Sequence, residues 1–242
     1  MSAIPVRRWW LGAGILAAVL MAGAIGWLLG VESSSATTAA PEPVLGKAPS
    51  YRGLTNQLGR TVGSARFKGK VQVVTFLFPY CTTYCPLIAA HLVGFERLLD
   101  RAGLQNRVEI VAFNVDPAGT GPRQMRAFLK EYGWNPADPH WQYLTGQPKT
   151  IRRIVTGGFH VAYSKTIGDD ADQAGGPALT PQPTVVNPLA EKAHVGYDIT
   201  HNDGLVIVDT QGRIRRFFDQ ADVVSGQSLL RAIRPLLTTA HG

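Results

Sequence analysis

Cysteine is scarce in this chain, and its scarcity is the first constraint on the fold class. Two cysteines in 242 residues cannot build the disulfide-dense scaffold of a small secreted domain. Charged residues make up only 17% of the sequence against 45% hydrophobic residues, which excludes a disordered polyelectrolyte. The basic residues, which give a net charge of +7, are not interleaved with aromatic residues as in nucleic-acid-binding surfaces. The sequence therefore predicts one globular domain with additional segments and no nucleic-acid partner.

The sequence has one apolar run long enough to span a membrane, and it lies near the N-terminus. Residues 9–31 carry no charged side chain and directly follow Arg7 and Arg8. A helix of this length reaches roughly 34 Å, enough for the core of a bilayer. A cleavable signal peptide has the same layout but a shorter apolar centre, so we expect residues 1–31 to be an uncleaved anchor, with cleavage as the alternative. The two arginines predict that the rest of the chain lies on the extracytoplasmic side.

The rest of the chain divides into a tether and a domain. Residues 32–46 are rich in Ser, Thr, Ala and Pro and predict a flexible tether, so the globular domain spans residues 47–242. Within it, residues 164–196 hold many Gly and Pro residues and form an insert of unusual length. An insert of this length inside a compact domain is typically functional or mobile.

Hydrophobic periodicity predicts strands that alternate with helices. The predicted strands are short runs rich in β-branched and aromatic residues, at 71–78, 107–115, 141–144, 159–163, 205–208 and 214–218. The predicted helices have apolar residues at helical spacing, at 86–102, 120–133, 148–155 and 225–237. This order predicts an α/β domain whose mixed sheet is covered by helices on both faces.

Cys81 and Cys85 are candidate functional residues because of their position. They follow the first long strand and are predicted to open the first helix, with Pro86 in its first turn. A helix N-terminus presents unpaired N–H groups and the positive end of the helix dipole, which stabilise a thiolate. Residues four apart on one helix face lie about 6 Å apart, which allows a disulfide or a soft metal ion held by both sulfurs. Two sulfurs alone are too few for a structural zinc site or an iron–sulfur cluster.

A structural disulfide is the alternative for this pair, since exported cysteines commonly pair for stability. Closing a loop of only five residues stabilises little, because the entropic gain grows with loop length. We therefore favour a redox or metal-binding role.

A third metal ligand has to come from elsewhere in the chain, and histidine is the natural candidate. Among the six histidines, His201 comes shortly before the predicted strand at 205–208, next to the long insert, and His194 at the rim of the insert is a weaker candidate. For a single histidine, a surface imidazole is the default interpretation. His140 lies in a proline-containing turn and is predicted to be exposed to solvent.

Other polar positions have simpler interpretations. Asp116 and Pro117 follow a strand and predict a turn rather than a site. Arg213, Arg215 and Arg216 predict a solvated basic edge of the sheet.

Taken together, these residues resemble the Sco/SenC proteins, a family of membrane-anchored, thioredoxin-like copper-binding proteins of bacterial and mitochondrial inner membranes. The resemblance covers about residues 45–240 and is carried by the strand at 73–78, Cys81-x-x-x-Cys85-Pro86, Asn114-Val115-Asp116-Pro117 and Tyr197-x-x-x-His201. Two features depart from the family pattern. Thr82-Thr83-Tyr84 separates the cysteines where members commonly have Pro-Asp after the first cysteine, and Thr200 precedes the histidine where an acidic residue is frequent.

The resemblance implies a thioredoxin-like mixed sheet and assigns Cys81, Cys85 and His201 as copper ligands, with Cu(I) as the expected ion. The family delivers copper to, or reduces cysteines of, the binuclear copper centre of cytochrome c oxidase. The expected partners are therefore the copper-site subunit of that oxidase and a thioredoxin-like reductant or another copper chaperone. The expected location is the inner (cytoplasmic) membrane, with a single-pass anchor and the C-terminal domain on the periplasmic side.

A thiol–disulfide oxidoreductase that works without metal is the second hypothesis. Such an enzyme normally has Cys-x-x-Cys, one residue shorter than the spacing here, and a proline at the entrance to a later strand. His201 stands at that entrance instead, which favours metal binding. A peroxidase is disfavoured because its reactive cysteine usually lacks a partner so near in sequence.

Overall fold

The computed structural model describes residues 43–136, 138–167, 187–193 and 197–238. The predicted anchor at 1–31, most of the tether, the greater part of the insert and His194 lie outside these residues. Within them, no helix has the length and apolar character needed to cross a membrane.

Strands and helices alternate through the described part of the chain. The strands are β1 (Gly46–Lys47), β2 (Leu54–Asn56), β3 (Thr61–Val62), β4 (Val71–Leu77), β5 (Val108–Asn114), β6 (Trp141–Thr145), β7 (Tyr163–Ile167), β8 (Tyr197–His201), β9 (Leu205–Val208) and β10 (Arg213–Phe218). The helices are α1 (Cys85–Arg101), α2 (Pro122–Glu131), α3 (Pro148–Gly158), α4 (Pro188–Ala193) and α5 (Gly226–Thr238), with short 3-10 helices at Ser64–Phe67 and Ala221–Val223.

The strands form a mixed sheet in the order β1-β10-β9-β4-β5-β6-β2-β3, and β7 pairs with β8 in a separate ribbon. At the centre of the sheet, β4, β5 and β6 run parallel, while β9 pairs antiparallel with β4. The carboxyl ends of the three parallel strands therefore meet at one edge, where an open α/β sheet commonly places its site. The predicted mixed sheet with flanking helices is confirmed.

Local sequence explains the central elements. Residues on both faces of β5 are buried, as expected for a strand covered by helices on both sides. Helix α1 begins with Pro86 in its first turn and is followed by Gly103 at φ 65°, a backbone conformation that glycine adopts without strain. It packs against α5, whose predicted amphipathic pattern is also confirmed.

Two local predictions are wrong. Residues 159–163 are not a strand, because α3 continues to Gly158, His160 adopts a left-handed φ of 60°, and the strand begins at Tyr163 instead. The alternation that suggested a strand arises because Phe159 and Val161 are buried from a loop. Cys81 does not open the first helix, because α1 begins at Cys85.

Two predicted surface groups are also partly buried. The His140 side chain is 15% exposed and its Nδ1 lies 3.7 Å from Oε1 of the buried Glu109, so the predicted exposure is wrong. Arg215 is 8% exposed and donates to the buried Asp209 carboxylate at 3.1 Å, so the basic edge is not fully solvated. In both cases a buried carboxylate draws the cationic or polar side chain inward.

Candidate functional site: a dithiol facing an imidazole

Cys81 lies in a tight loop at the carboxyl end of β4, and Cys85 directly follows this loop. The backbone N–H of Cys81 donates to the Phe78 carbonyl oxygen at 3.1 Å, which turns the chain back toward the sheet. Cys85 is the first residue of α1 and is fully buried, and Cys81 is 5% exposed. No disulfide joins the two sulfurs.

The surroundings of the two sulfurs make them chemically different. The pKa of Cys81 is lowered to about 6, first by a hydrogen bond from the Cys85 side chain and then by the nearby His201 and by Thr83, whose Oγ1 lies 3.4 Å from the Cys81 sulfur. Burial opposes this shift. The pKa of Cys85 is raised, because Cys85 is buried and faces the negative charge of Cys81. These opposite shifts favour a thiolate at Cys81 beside a thiol at Cys85.

The helix N-terminus contributes to this difference, though less than the neighbouring side chains. A backbone hydrogen bond from Cys85, the first residue of α1, is among the causes that lower the pKa of Cys81. Cys81 thus accepts an N–H from the first turn of the helix although it lies outside that helix.

His201 comes to this dithiol from a distant part of the sequence. It is the last residue of β8, and its Nε2 lies 3.5 Å from the Cys85 sulfur. Its other ring nitrogen, Nδ1, lies 2.8 Å from the Asn202 carbonyl oxygen. Because a carbonyl oxygen only accepts, Nδ1 donates its N–H to Asn202, and Nε2 is the ring nitrogen that faces the Cys85 sulfur.

The donor atoms converge without forming a closed shell. Within the described ranges, no group of three or more His, Cys, Asp or Glu side chains is already arranged to hold a metal ion. The separation of 3.5 Å between the Cys85 sulfur and Nε2 of His201 nevertheless suits a shared ion. For zinc, whose bonds to sulfur and nitrogen are about 2.3 Å and about 2.0 Å, a tetrahedral angle would place the two donor atoms about 3.5 Å apart.

Among the described residues, a cavity lies on the side of the site that His201 occupies. A cavity of about 390 Å³ lies beside this residue and is bounded by side chains of β7 and β8 and by Asn202. Cys81 and Cys85 are both buried, so the half-buried His201 is the most exposed of the three side chains.

Sequence reasoning missed Asn187, which holds the cysteine loop. Its Nδ2 donates to the carbonyl oxygens of Pro79 at 3.0 Å and Cys81 at 2.7 Å, and its side chain is almost fully buried. The only local signal was an asparagine before Pro188, typical of a helix start. Nothing in the sequence connects that signal with a loop 106 residues earlier.

Asp116 does more than the predicted turn requires. Its Oδ1 accepts the Gly119 N–H at 3.2 Å, which is the expected turn, and its Oδ2 accepts the hydroxyl of Tyr197 at 2.7 Å. Tyr197 begins the strand that ends in His201. The carboxyl end of β5 is thereby joined to the strand that carries the imidazole.

A family model identifies the chain. Residues 48–179, more than half of the sequence, match the model described as SCO1/SenC. The chain belongs to the SCO1/SenC family. The family resemblance inferred from the cysteine and histidine motifs is confirmed.

Individual members of the family show how far the likeness extends. The SCO1 protein homolog of Bacillus subtilis is 30% identical over 116 residues, which cover 48% of this chain and 58% of that protein. The match therefore spans less than two thirds of the length of the relative.

Solved structures of the family establish the thioredoxin-like fold. ScoI of Bradyrhizobium japonicum, solved with copper bound, superposes with a TM-score of 0.58 at 20% identity, covering 79% of this chain and 99% of that one. BsSco, described as a member of the Sco family of cytochrome c oxidase assembly proteins, gives a TM-score of 0.58 at 20% identity, covering 82% and 98%.

Proposed function

We propose that this chain binds one copper ion through Cys81, Cys85 and His201 and serves in assembly of the copper centre of cytochrome c oxidase. The observation that carries the proposal is the contact of 3.5 Å between the Cys85 sulfur and Nε2 of His201, with the Cys81 thiolate beside them. Membership of the SCO1/SenC family and the copper bound in ScoI of Bradyrhizobium japonicum support the choice of ion.

The chemistry of the donors favours Cu(I). Thiolates are soft ligands that select Cu(I), and a neutral imidazole nitrogen completes a three-donor set. Cys81 is already a thiolate at neutral pH, whereas Cys85 has to lose its proton when the ion binds. Copper loading therefore releases a proton, and the apparent affinity rises with pH.

The placement of the donors suits a protein that passes its ion on. His201 is the donor next to the open cavity, and the sulfurs lie behind it. A client ligand arriving through the cavity meets the imidazole first and replaces it, so that transfer begins with exchange at His201. His201 is exchanged first because it is the donor that the incoming ligand reaches first, and the exchange requires no movement of Cys85.

Thiol–disulfide exchange is a second candidate function of the same residues, and the lowered pKa of Cys81 favours it. The Cys81 thiolate attacks one sulfur of a client disulfide, forms a mixed disulfide and releases the other client sulfur as a thiolate. Cys85 then loses its proton and attacks Cys81, which frees the second client thiol. The client disulfide is reduced and the Cys81–Cys85 pair is oxidised to a disulfide.

The membrane arrangement belongs to the proposal as well. We infer from the apolar residues 9–31 and the arginines before them that the chain is a single-pass protein of the inner membrane, with its domain on the periplasmic side. The proposed partners are the copper-site subunit of the oxidase and a protein that supplies electrons or copper.

A titration of the reduced, full-length chain with Cu(I) under anaerobic conditions tests the metal-binding function. We expect one ion per chain, lost in the Cys81→Ser/Cys85→Ser variant and bound much more weakly in His201→Ala. The control is His160→Asn, which removes another imidazole where the left-handed backbone is one that asparagine tolerates. Equal copper retention by the double serine variant contradicts the proposal.

A second experiment separates delivery from reduction. The copper-site subunit of the oxidase is prepared with its cysteines either oxidised or reduced. Each preparation is then mixed with the metal-free or the copper-loaded chain. Transfer of copper to the reduced client supports delivery, and formation of client thiols by the apo chain supports exchange. A chain that does neither contradicts both functions.

A further inference from the structure

The two-stranded ribbon of β7 and β8 carries His201. Among the described residues, neither strand of this ribbon pairs with a strand of the main sheet. Its two strands are separated in sequence by the long insert, since β7 ends at Ile167 and β8 begins at Tyr197. The position of His201 against Cys85 is therefore set by the short connection from β8 to β9, residues 202–204, together with the side chains that tie β8 to the sheet.

Tyr197 provides such a tie at the start of β8. Its hydroxyl donates to Oδ2 of Asp116 at 2.7 Å, and its ring centre lies 5.8 Å from that of Phe78. Phe78 directly follows β4 and Asp116 lies two residues beyond the end of β5, so one side chain contacts the segments that follow both central strands. The ammonium group of Lys165 covers the ring at 3.3 Å.

The acceptor of this hydrogen bond is itself held firmly. Asp116 is 3% exposed, its backbone N–H donates to Oδ1 of Asn114 at 3.0 Å, and its own Oδ1 accepts the N–H of Gly119. Burial and the neighbouring carboxylate raise the pKa of Tyr197, so its hydroxyl keeps the proton that it donates. A hydrogen bond to a buried carboxylate is among the stronger hydrogen bonds in proteins.

Strand β8 connects the anchored Tyr197 at its start to His201 at its end. Tyr197, Ile199 and His201 alternate onto the same face of β8, and Ile199 between them is buried. Four residues of strand span about 13 Å, so a change of tilt at Tyr197 displaces the other end, where the ring of His201 meets Cys85.

Gly119 shows how tightly the contact is enclosed. A Cβ at this position would lie 2.3 Å from both Asp116 Oδ2 and the Tyr197 hydroxyl. Any side chain here would wedge the two groups apart, since real Cβ atoms do not approach other atoms so closely.

We propose that Tyr197, through its hydrogen bond to Asp116, is a positioning residue that sets the imidazole of His201 against Cys85. The inference rests on the proposed function only for its copper readout, because the placement of the ring is a property of the metal-free chain. Tyr197 itself touches no metal in this account and acts through His201 alone.

The test uses the full-length chain with Tyr197→Phe, which keeps the ring and its contacts but removes the hydroxyl. Tyr163→Phe is the matched control, since Tyr163 lies opposite His201 in the ribbon. We expect Tyr197→Phe to weaken Cu(I) binding about tenfold, in the range found for residues that orient a metal ligand. In a His201→Ala background, the same change should have no further effect. A merely structural role predicts the same loss in both backgrounds and would overturn the proposal.

A metal-free readout keeps this test separate from the proposed function. Isotope-labelled histidine and cysteine report by NMR whether the ring of His201 contacts Cys85, and we expect that contact to be lost in Tyr197→Phe and kept in Tyr163→Phe. Gly119→Ala should reproduce the loss, whereas Gly157→Ala, which has open space around its Cβ, should not. Retention of the contact in Tyr197→Phe, or outright unfolding of that variant, contradicts the inference. Failure of the wild-type chain to bind copper contradicts only the proposed function.

Discussion

Alkylation of the reduced chain tests the electrostatics of the cysteine pair. The pKa of Cys81 is lowered to about 6 and that of Cys85 is raised, so a single nucleophilic thiolate is expected at Cys81. With a pKa of about 6, about nine in ten Cys81 side chains are ionised at about pH 7. A thiol at the ordinary value of 9.0 is ionised about one time in a hundred at the same pH.

The expected rate advantage is smaller than this difference in ionisation. A thiolate of lower pKa is a weaker nucleophile, and a shift of about three units lowers its intrinsic rate about twentyfold. The ionised fraction rises about ninetyfold, so the net gain at about pH 7 is about fourfold. The gain grows as the pH falls toward about 6, because an ordinary thiol loses tenfold of its thiolate per pH unit while Cys81 is still about half ionised at about pH 6.

The assay measures the rate of iodoacetamide modification of the full-length chain against pH, with mass spectrometry to locate the adduct. The profile should have its midpoint at about pH 6, with Cys81 modified first because Cys85 is fully buried. Cys85→Ala removes the largest cause of the lowered pKa and should move the midpoint upward. His201→Ala should move it less, and His160→Asn should leave it unchanged.

Two results would contradict the assignment of a thiolate to Cys81 and a thiol to Cys85. A midpoint near the ordinary value of 9.0 in the wild-type chain would show that the neighbouring groups do not stabilise the Cys81 thiolate. Earlier modification of Cys85 would show that the assignment of thiolate and thiol is reversed.

Two further predictions concern stability. Asn187→Ala leaves the carbonyl oxygens of Pro79 and Cys81 without their donor and should lower the free energy of unfolding by about 1–3 kcal/mol, measured by chemical denaturation. Amide exchange in the cysteine loop should become faster. Unchanged exchange there would contradict the role of Asn187. Gly158→Ala brings a Cβ within 2.5 Å of Pro49 and should lower the free energy of unfolding by about 1–3 kcal/mol. The control is Gly157→Ala, whose Cβ has open space around it. Equal melting temperatures for the two variants would contradict tight packing at Gly158.

The main elements were predictable because their signals are local. The apolar run of β4 predicts a buried strand, and Pro86 and Gly103 mark the ends of the helix that follows. Residues 159–163 were misassigned because their alternating burial comes from packing in a loop, and the left-handed backbone at His160 has no distinctive sequence signal.

The candidate site was predictable in part for the same reason. Cys81 and Cys85 are close in sequence, so their spacing alone indicates a dithiol. His201 lies 116 residues from Cys85 and was selected through the family resemblance rather than from periodicity. The supports at Asn187 and Tyr197 depend on hydrogen bonds to residues 106 and 81 positions earlier, which no local pattern encodes.

X-ray absorption at the copper edge of the loaded, full-length chain tests whether Cys81, Cys85 and His201 bind the ion, because it counts the sulfur and nitrogen atoms around it. We expect two sulfur neighbours, from Cys81 and Cys85, and one nitrogen neighbour. The nitrogen should be lost in His201→Ala and the sulfurs in Cys81→Ser/Cys85→Ser. A wild-type spectrum without sulfur neighbours, or one that His201→Ala leaves unchanged, contradicts this set of ligands.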